Sequence, residues 1–206
     1  ERGAVPHPGD TCDGLVLLGG GPWGSAGGRD VPTLDAEIKL TRAALDQGQP
    51  VIGIGLGAQI LAIAAGGGSV PAPLVFEISD VTRVVDDALN GFMPERFPLV
   101  TYMRDRPVLP AHATVLGVDE HDRPAVFQVG ENVLGFCGHP GFKPAMAEDL
   151  IMEFEEGPEN PIPQLEKFRL MVREIEDALV PVMTGIIQIT YLMQSRQRIQ
   201  ITLESE

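Results

Sequence analysis

The stretch from Pro50 to Ala62, PVIGIGLGAQILA, constrains the fold more than any other part of the chain. Val51, Ile52 and Ile54 read as the end of a buried parallel strand, and Gln59 to Ala65 has helical composition. Between them Gly53, Gly55 and Gly57 permit a sharp strand-to-helix turn. This is the layout of a nucleophile elbow, whose tip residue holds a strained backbone and presents its side chain above the sheet. The tip residue is Gly55, which offers no atom for covalent chemistry.

The flanking sequence continues in α/β order. Asp13 to Leu18 is an apolar run that predicts a buried strand, and Gly19, Gly20, Gly21 and Pro22 follow it where backbone N–H groups can face a ligand. Pro32 and Thr33 open a helix running to about Gln47, with Thr33 as its cap, Asp35 and Glu37 in its first turn and Gly48 at its end. Strand, helix and strand from Leu15 through Ile54 form a right-handed crossover unit. The pattern then changes to β. Phe76 to Val85 and Phe97 to Tyr102 flank a polar connection, Asp86 to Glu95, with Asn90-Gly91 as its turn signal. Three more strands, Thr114 to Val118, Pro124 to Val129 and Asn132 to Cys137, follow, the last two joined by a tight turn at Gly130-Glu131. Lys143 to Glu156 predicts an amphipathic helix with Met146, Leu150, Ile151 and Phe154 on one face.

GPENPIP, Gly157 to Pro163, reads as a linker because three prolines and a glycine cannot continue a helix. Beyond it Leu165, Phe168, Val172, Ile175 and Leu179 alternate spacings of three and four. The expected organisation is therefore an α/β domain over 1–156, a linker over 157–163 and a helical extension over 164–206. The apolar seam of that extension, with Ile186, Ile189 and Tyr191, is expected to pack against another chain, a second copy or a different subunit. Ala178 to Ser195 carries no charge, but Pro181, Thr184, Gly185, Gln188, Thr190 and Gln194 interrupt it, which argues against a membrane span.

Three motifs in order resemble the class I glutamine amidotransferases. GIGLGAQ around Gly55 is similar to that family's G-x-C-x-G elbow, CDGLVLLGGGP (Cys12 to Pro22) to its oxyanion strand, and VLGFCGHPG (Val133 to Gly141) to its terminal G-x-x-x-H-P-E motif. The resemblance implies a flavodoxin-like sheet with flanking helices. It also implies an oxyanion hole from the amides around Gly20, Gly21 and Leu56, contact of Gln59 with bound glutamine, and His139 as the triad base. Gly55 stands where the family has Cys, Gly141 where it has the orienting Glu, and Met103 where the TYMRD segment (Thr101 to Asp105) would carry a His. The family places a strand, a helix and a second strand ahead of its oxyanion strand, whereas only Glu1 to Thr11 precede it here. Those elements are expected to be lost or to lie upstream of the given sequence.

Without a nucleophile, the reading that follows is a pseudo-amidotransferase: a structural or regulatory subunit of a larger enzyme complex, with a vestigial pocket for a glutamine-like ligand. Two enzymatic readings stand beside it. One is a residual amide or γ-glutamyl hydrolase that uses His139 with water or with Cys137; the other is a glutaminase inactivated by substitution at Gly55. Cys137 and His139, two apart on a strand, share a face at about 7 Å, too far for a direct thiolate–imidazole bond. A buried core thiol is therefore favoured for Cys137. His7, His112 and His121 read as surface residues. A net charge of −14 argues against nucleic acid and anionic membranes as partners. Two cysteines at unrelated positions suggest neither a disulfide framework nor a zinc site, which fits the cytoplasm. No cofactor motif is present and no metal is expected: the glycine run lacks both the P-loop Lys-Ser/Thr and the acidic ribose ligand.

Overall fold

Val51–Ile54 (β2) is buried along its whole length because it lies between two parallel neighbours, Leu15–Leu17 (β1) and Val133–Phe136 (β9). The computed structural model describes residues 4–7 and 13–193 of the chain; Cys12 and the C-terminal residues from Gln194 lie outside them. After β1 come α1 (Leu34–Asp46), β2, α2 (Leu56–Ala64), β3 (Gly68–Val70), β4 (Val75–Arg83), β5 (Arg96–Met103) and β6 (Arg106–Val108). The chain continues through β7 (Ala113–Val118), β8 (Pro124–Val129), β9, α3 (Pro144–Glu153) and α4 (Pro161–Thr190). Seven strands form one mixed sheet in the order β1-β2-β9-β8-β7-β4-β5, parallel from β1 to β9 and antiparallel thereafter. The small β3–β6 pair was not anticipated, since three-residue strands carry no readable period. The sheet curls until the backbone N–H of His139 donates to the carbonyl of Val100 on β5 at 2.7 Å.

Alternation along the parallel strands feeds two apolar layers. Val51 and Val133 join Leu56, Ala58, Ile60 and Leu61 of α2, while Ile52, Ile54, Leu134 and Phe136 join Val182, Ile186 and Ile189 of α4. The described part of the expected extension thus lies in one 30-residue helix, α4, that supplies the second apolar layer on the sheet. Leu165, Phe168, Ile175, Ile186 and Ile189 are buried against their own sheet, Phe168 edge-on to Phe76 at 6.3 Å and stacked on Phe142 at 6.0 Å. The expectation that these residues need another chain is corrected: an amphipathic seam shows that a partner exists, and here the partner is β4, β5 and β9. Val172 and Leu179 are half-buried, and Tyr191 is exposed.

Other differences have local causes. The linker shortens to 157–160, because Pro161 and Pro163 occupy the first turn of α4, where a missing N–H costs nothing. Thr33 sits at the N-cap of α1, but its hydroxyl donates to the Glu37 carboxylate at 2.5 Å instead of accepting a backbone N–H. The connection between β4 and β5 is less polar than it reads, since Ala88, Leu89 and Met93 fill the core beneath α4. Gly185 permits that approach: a Cβ there would lie 2.5 Å from Leu89 Cβ. On α3 only Ala147 is fully buried, and Met146 is partly exposed. No helix of the described residues is long and apolar enough to cross a membrane.

Candidate functional site

The elbow forms as its sequence demands. Gly55 has φ +60° and ψ −117°, the mirror-image turn conformation that glycine adopts without steric cost. Its N–H continues the β2–β9 ladder to Phe136 O at 2.8 Å, and its carbonyl begins α2 by accepting Ala58 N at 3.0 Å. Gly53 and Gly57 let α2 lie on the sheet, for a Cβ would stand 2.5 Å from Gly57 O in the first case and 2.2 Å from Leu17 O in the second. The tip is not crowded in this way. A Cβ on Gly55 would meet nothing nearer than Gly19 Cα at 3.5 Å, an ordinary contact.

His139 follows β9, held by its backbone bond to Val100 and by Phe142, whose ring centre is 5.6 Å from the imidazole. The Gly141 N–H donates to His139 Nδ1 at 3.1 Å. Nδ1 is therefore an acceptor, and the neutral ring carries its proton on Nε2. Burial pushes the His139 pKa below its usual value, which keeps the ring neutral at pH 7. A Cβ at Gly141 would lie 3.9 Å from Nδ1.

Gly55 and His139 share a cavity of about 310 Å³ with Gly19, Gly21, Tyr102 and Cys137. Phe142, Met146 and Leu150 wall its other side, with Asp149 exposed beside them. Of the residues singled out by resemblance, Gly21 lines this cavity with φ +58°, packed beneath the Phe154 ring. Gly20 lies behind it, accepting Trp23 N, and Leu56 is buried as the first residue of α2. The α2 amides at Leu56 and Gly57 have no carbonyl within the helix to bond. Cys137 is buried, and desolvation pushes its pKa up to about 12, so it stays a thiol.

Gln59 is placed elsewhere. It is fully buried, with Oε1 accepting from Ser25 Oγ at 2.5 Å and Nε2 donating to Arg104 O at 2.6 Å. It belongs to a network that ties the glycine-rich loop to the β5–β6 connection. In that network buried Asp105, at φ +61°, accepts from the amides of Ser25 (2.9 Å), Ala26 (3.0 Å) and Ala72 (3.1 Å). Glu156 ion-pairs with both Arg29 and Arg104, and the Arg29 guanidinium lies 5.0 Å over the Trp23 ring. Sequence reasoning missed these residues. The partners stand tens of positions apart, and the available signal was the run of glycines that a Cβ would disrupt, as at Gly24, where it would lie 2.1 Å from Asp105 Oδ2. His112 and His121 are exposed, as expected. Among the described residues no group of three or more His, Cys, Asp or Glu is placed to hold a metal ion.

The fold that carries this cavity is found in known proteins. The class-I glutamine amidotransferase profile matches residues 7–154, and the chain belongs to that family. Solved structures share the fold. SMU.1228c is 19% identical over 91% of this chain and 84% of its own, with a TM-score of 0.74. A glutamine amido transferase from Methylobacillus flagellatus is 22% identical over 90% of this chain and 80% of its own (TM-score 0.72). A glutamine amidotransferase from Thermotoga maritima is 22% identical over 85% and 77% (TM-score 0.69). No curated protein sequence matches the chain.

Proposed function

We propose that this chain is a catalytically degenerate member of its family that does not hydrolyse glutamine and acts as a structural or regulatory subunit of a larger enzyme assembly. The observation that carries this reading is the pairing of Gly55 at the elbow tip with Gly141 on His139 Nδ1. The first leaves nothing to attack an amide carbon. The second occupies the nitrogen that an orienting carboxylate would hold and leaves Nε2 protonated, so the ring donates where a general base must accept. Cys137 is no substitute, since a buried thiol with a pKa near 12 supplies no thiolate at neutral pH.

A subunit role is the use that remains for a family scaffold whose elbow tip carries no nucleophile. A cytoplasmic setting is part of this reading and rests on the cysteine usage. Incubation of the full chain with glutamine should release no ammonia above a heat-killed control, and affinity purification with mass spectrometry should recover an enzyme subunit in fixed ratio. Ammonia release abolished by His139→Ala would refute the proposal.

A further inference from the structure

The cavity retains hydrogen-bond donors although it has no nucleophile. Its walls are apolar at Ile54, Phe142 and Leu150, and among the described residues no Lys or Arg lines it. Deep groups that can engage a ligand donate. His139 offers Nε2–H, because Nδ1 is taken by Gly141 N. Tyr102 lines the cavity with its hydroxyl oxygen buried and without a hydrogen-bond partner among the described residues, a costly state that a ligand oxygen relieves. The N-terminus of α2, beginning directly after Gly55, adds a partial positive field. A primary amide offers these donors one acceptor oxygen and no charge, where a carboxylate offers two oxygens and a full negative charge. A second carboxylate would meet Asp149, which is exposed on the lining. The volume, about 310 Å³, is at the small end of ligand sites.

We infer that this cavity binds a short-chain monocarboxylate, its carboxylate held by His139 Nε2–H and the Tyr102 hydroxyl and its aliphatic tail laid against Ile54, Phe142 and Leu150. The inference rests on the proposed function, because a site that turned over glutamine would need Nε2 as an acceptor.

The test is calorimetric titration of the full chain with isovalerate, isovaleramide, glutarate and glutamine, with ammonia release measured in the glutamine sample. Isovalerate should bind saturably, and the amide and the dicarboxylate at least about 10-fold more weakly. Tyr102→Phe should weaken isovalerate binding about 3- to 10-fold with the fold retained by circular dichroism. In nitrogen-15 spectra isovalerate should shift the Nε2–H signal of His139 while Nδ1 stays unprotonated. No saturable isovalerate binding, equal binding of the amide, or an unchanged affinity in Tyr102→Phe would overturn the inference. The ligand series needs no variant, so a Tyr102→Phe protein that fails to fold leaves the test intact. Absence of isovalerate binding without ammonia release sinks this inference alone, whereas ammonia release from glutamine sinks the proposed function and this inference with it.

Discussion

The backbone N–H of Gly141 donates to His139 Nδ1 across 3.1 Å, so a glycine two residues downstream sets the tautomer of the ring that faces the elbow. A side-chain carboxylate at position 141 would favour the opposite tautomer, with Nδ1 protonated and Nε2 free to accept, only where it displaced this main-chain N–H from Nδ1.

That relationship decides what restoring a thiol can do. The space before Gly55 admits a Cβ, so Gly55→Cys should fold, at a cost of about 1–3 kcal/mol for a non-glycine residue at φ +60°. It should remain without useful glutaminase activity, and Gly55→Cys with Gly141→Glu should exceed it by at least about 100-fold in turnover. Urea unfolding and an ammonia assay measure the two effects. Robust activity from the single change would show that the tautomer argument is wrong.

Burial holds the His139 pKa below its usual value. Between that depressed pKa and the unfolded value near 6.5, the unfolded chain binds the proton and the folded chain does not, so stability falls as pH drops through this window. Urea midpoints at pH 7.5 and 5.5 should therefore separate more in the wild type than in His139→Gln. Equal separations would mean that His139 stays accessible to protonation in the folded state.

Phe168 is fully buried between Phe76 and Phe142. Phe168→Ala should cost about 3–5 kcal/mol, and removal of the chain from Gln164 onward should yield an insoluble or unfolded product, because it strips one apolar layer from the sheet. A monomeric, cooperatively melting truncation would contradict this packing.

Asp105 carries three backbone amides that have come from two separate loops. Asp105→Ala should destabilise by about 2–4 kcal/mol and hasten proteolysis between Gly24 and Arg29, whereas Asp105→Asn, which keeps one acceptor oxygen, should do less of both. Limited trypsin digestion at Arg29 provides the readout. Identical digestion rates in the three proteins would remove Asp105 from its role as the anchor of the loop.

Much of the fold was legible because short-range chemistry specified it. Three glycines at alternate positions forced the β2–α2 elbow, and the strand from Pro124 to Val129 has the bounds its flanking turns imply. The partner of α4 was not legible. The spacing of Leu165, Phe168 and Ile175 marks an apolar face but contains nothing about which surface covers it. At the site, Gly55 and His139 line one cavity, while Gln59 is held by Ser25 and Arg104, whose positions are set by the path of two distant loops. The Gly141–His139 hydrogen bond depends on the turn geometry after β9, which residue identity alone does not determine.

Phe142 has one side in the cavity and the other stacked on Phe168 of α4. A single ring is thus a shared wall between the cavity and a helix about 45 Å long. In a close-packed interior the ring cannot yield to an occupant without pressing on Phe168. Through this one ring, α4 closes a side of the cavity without touching its contents.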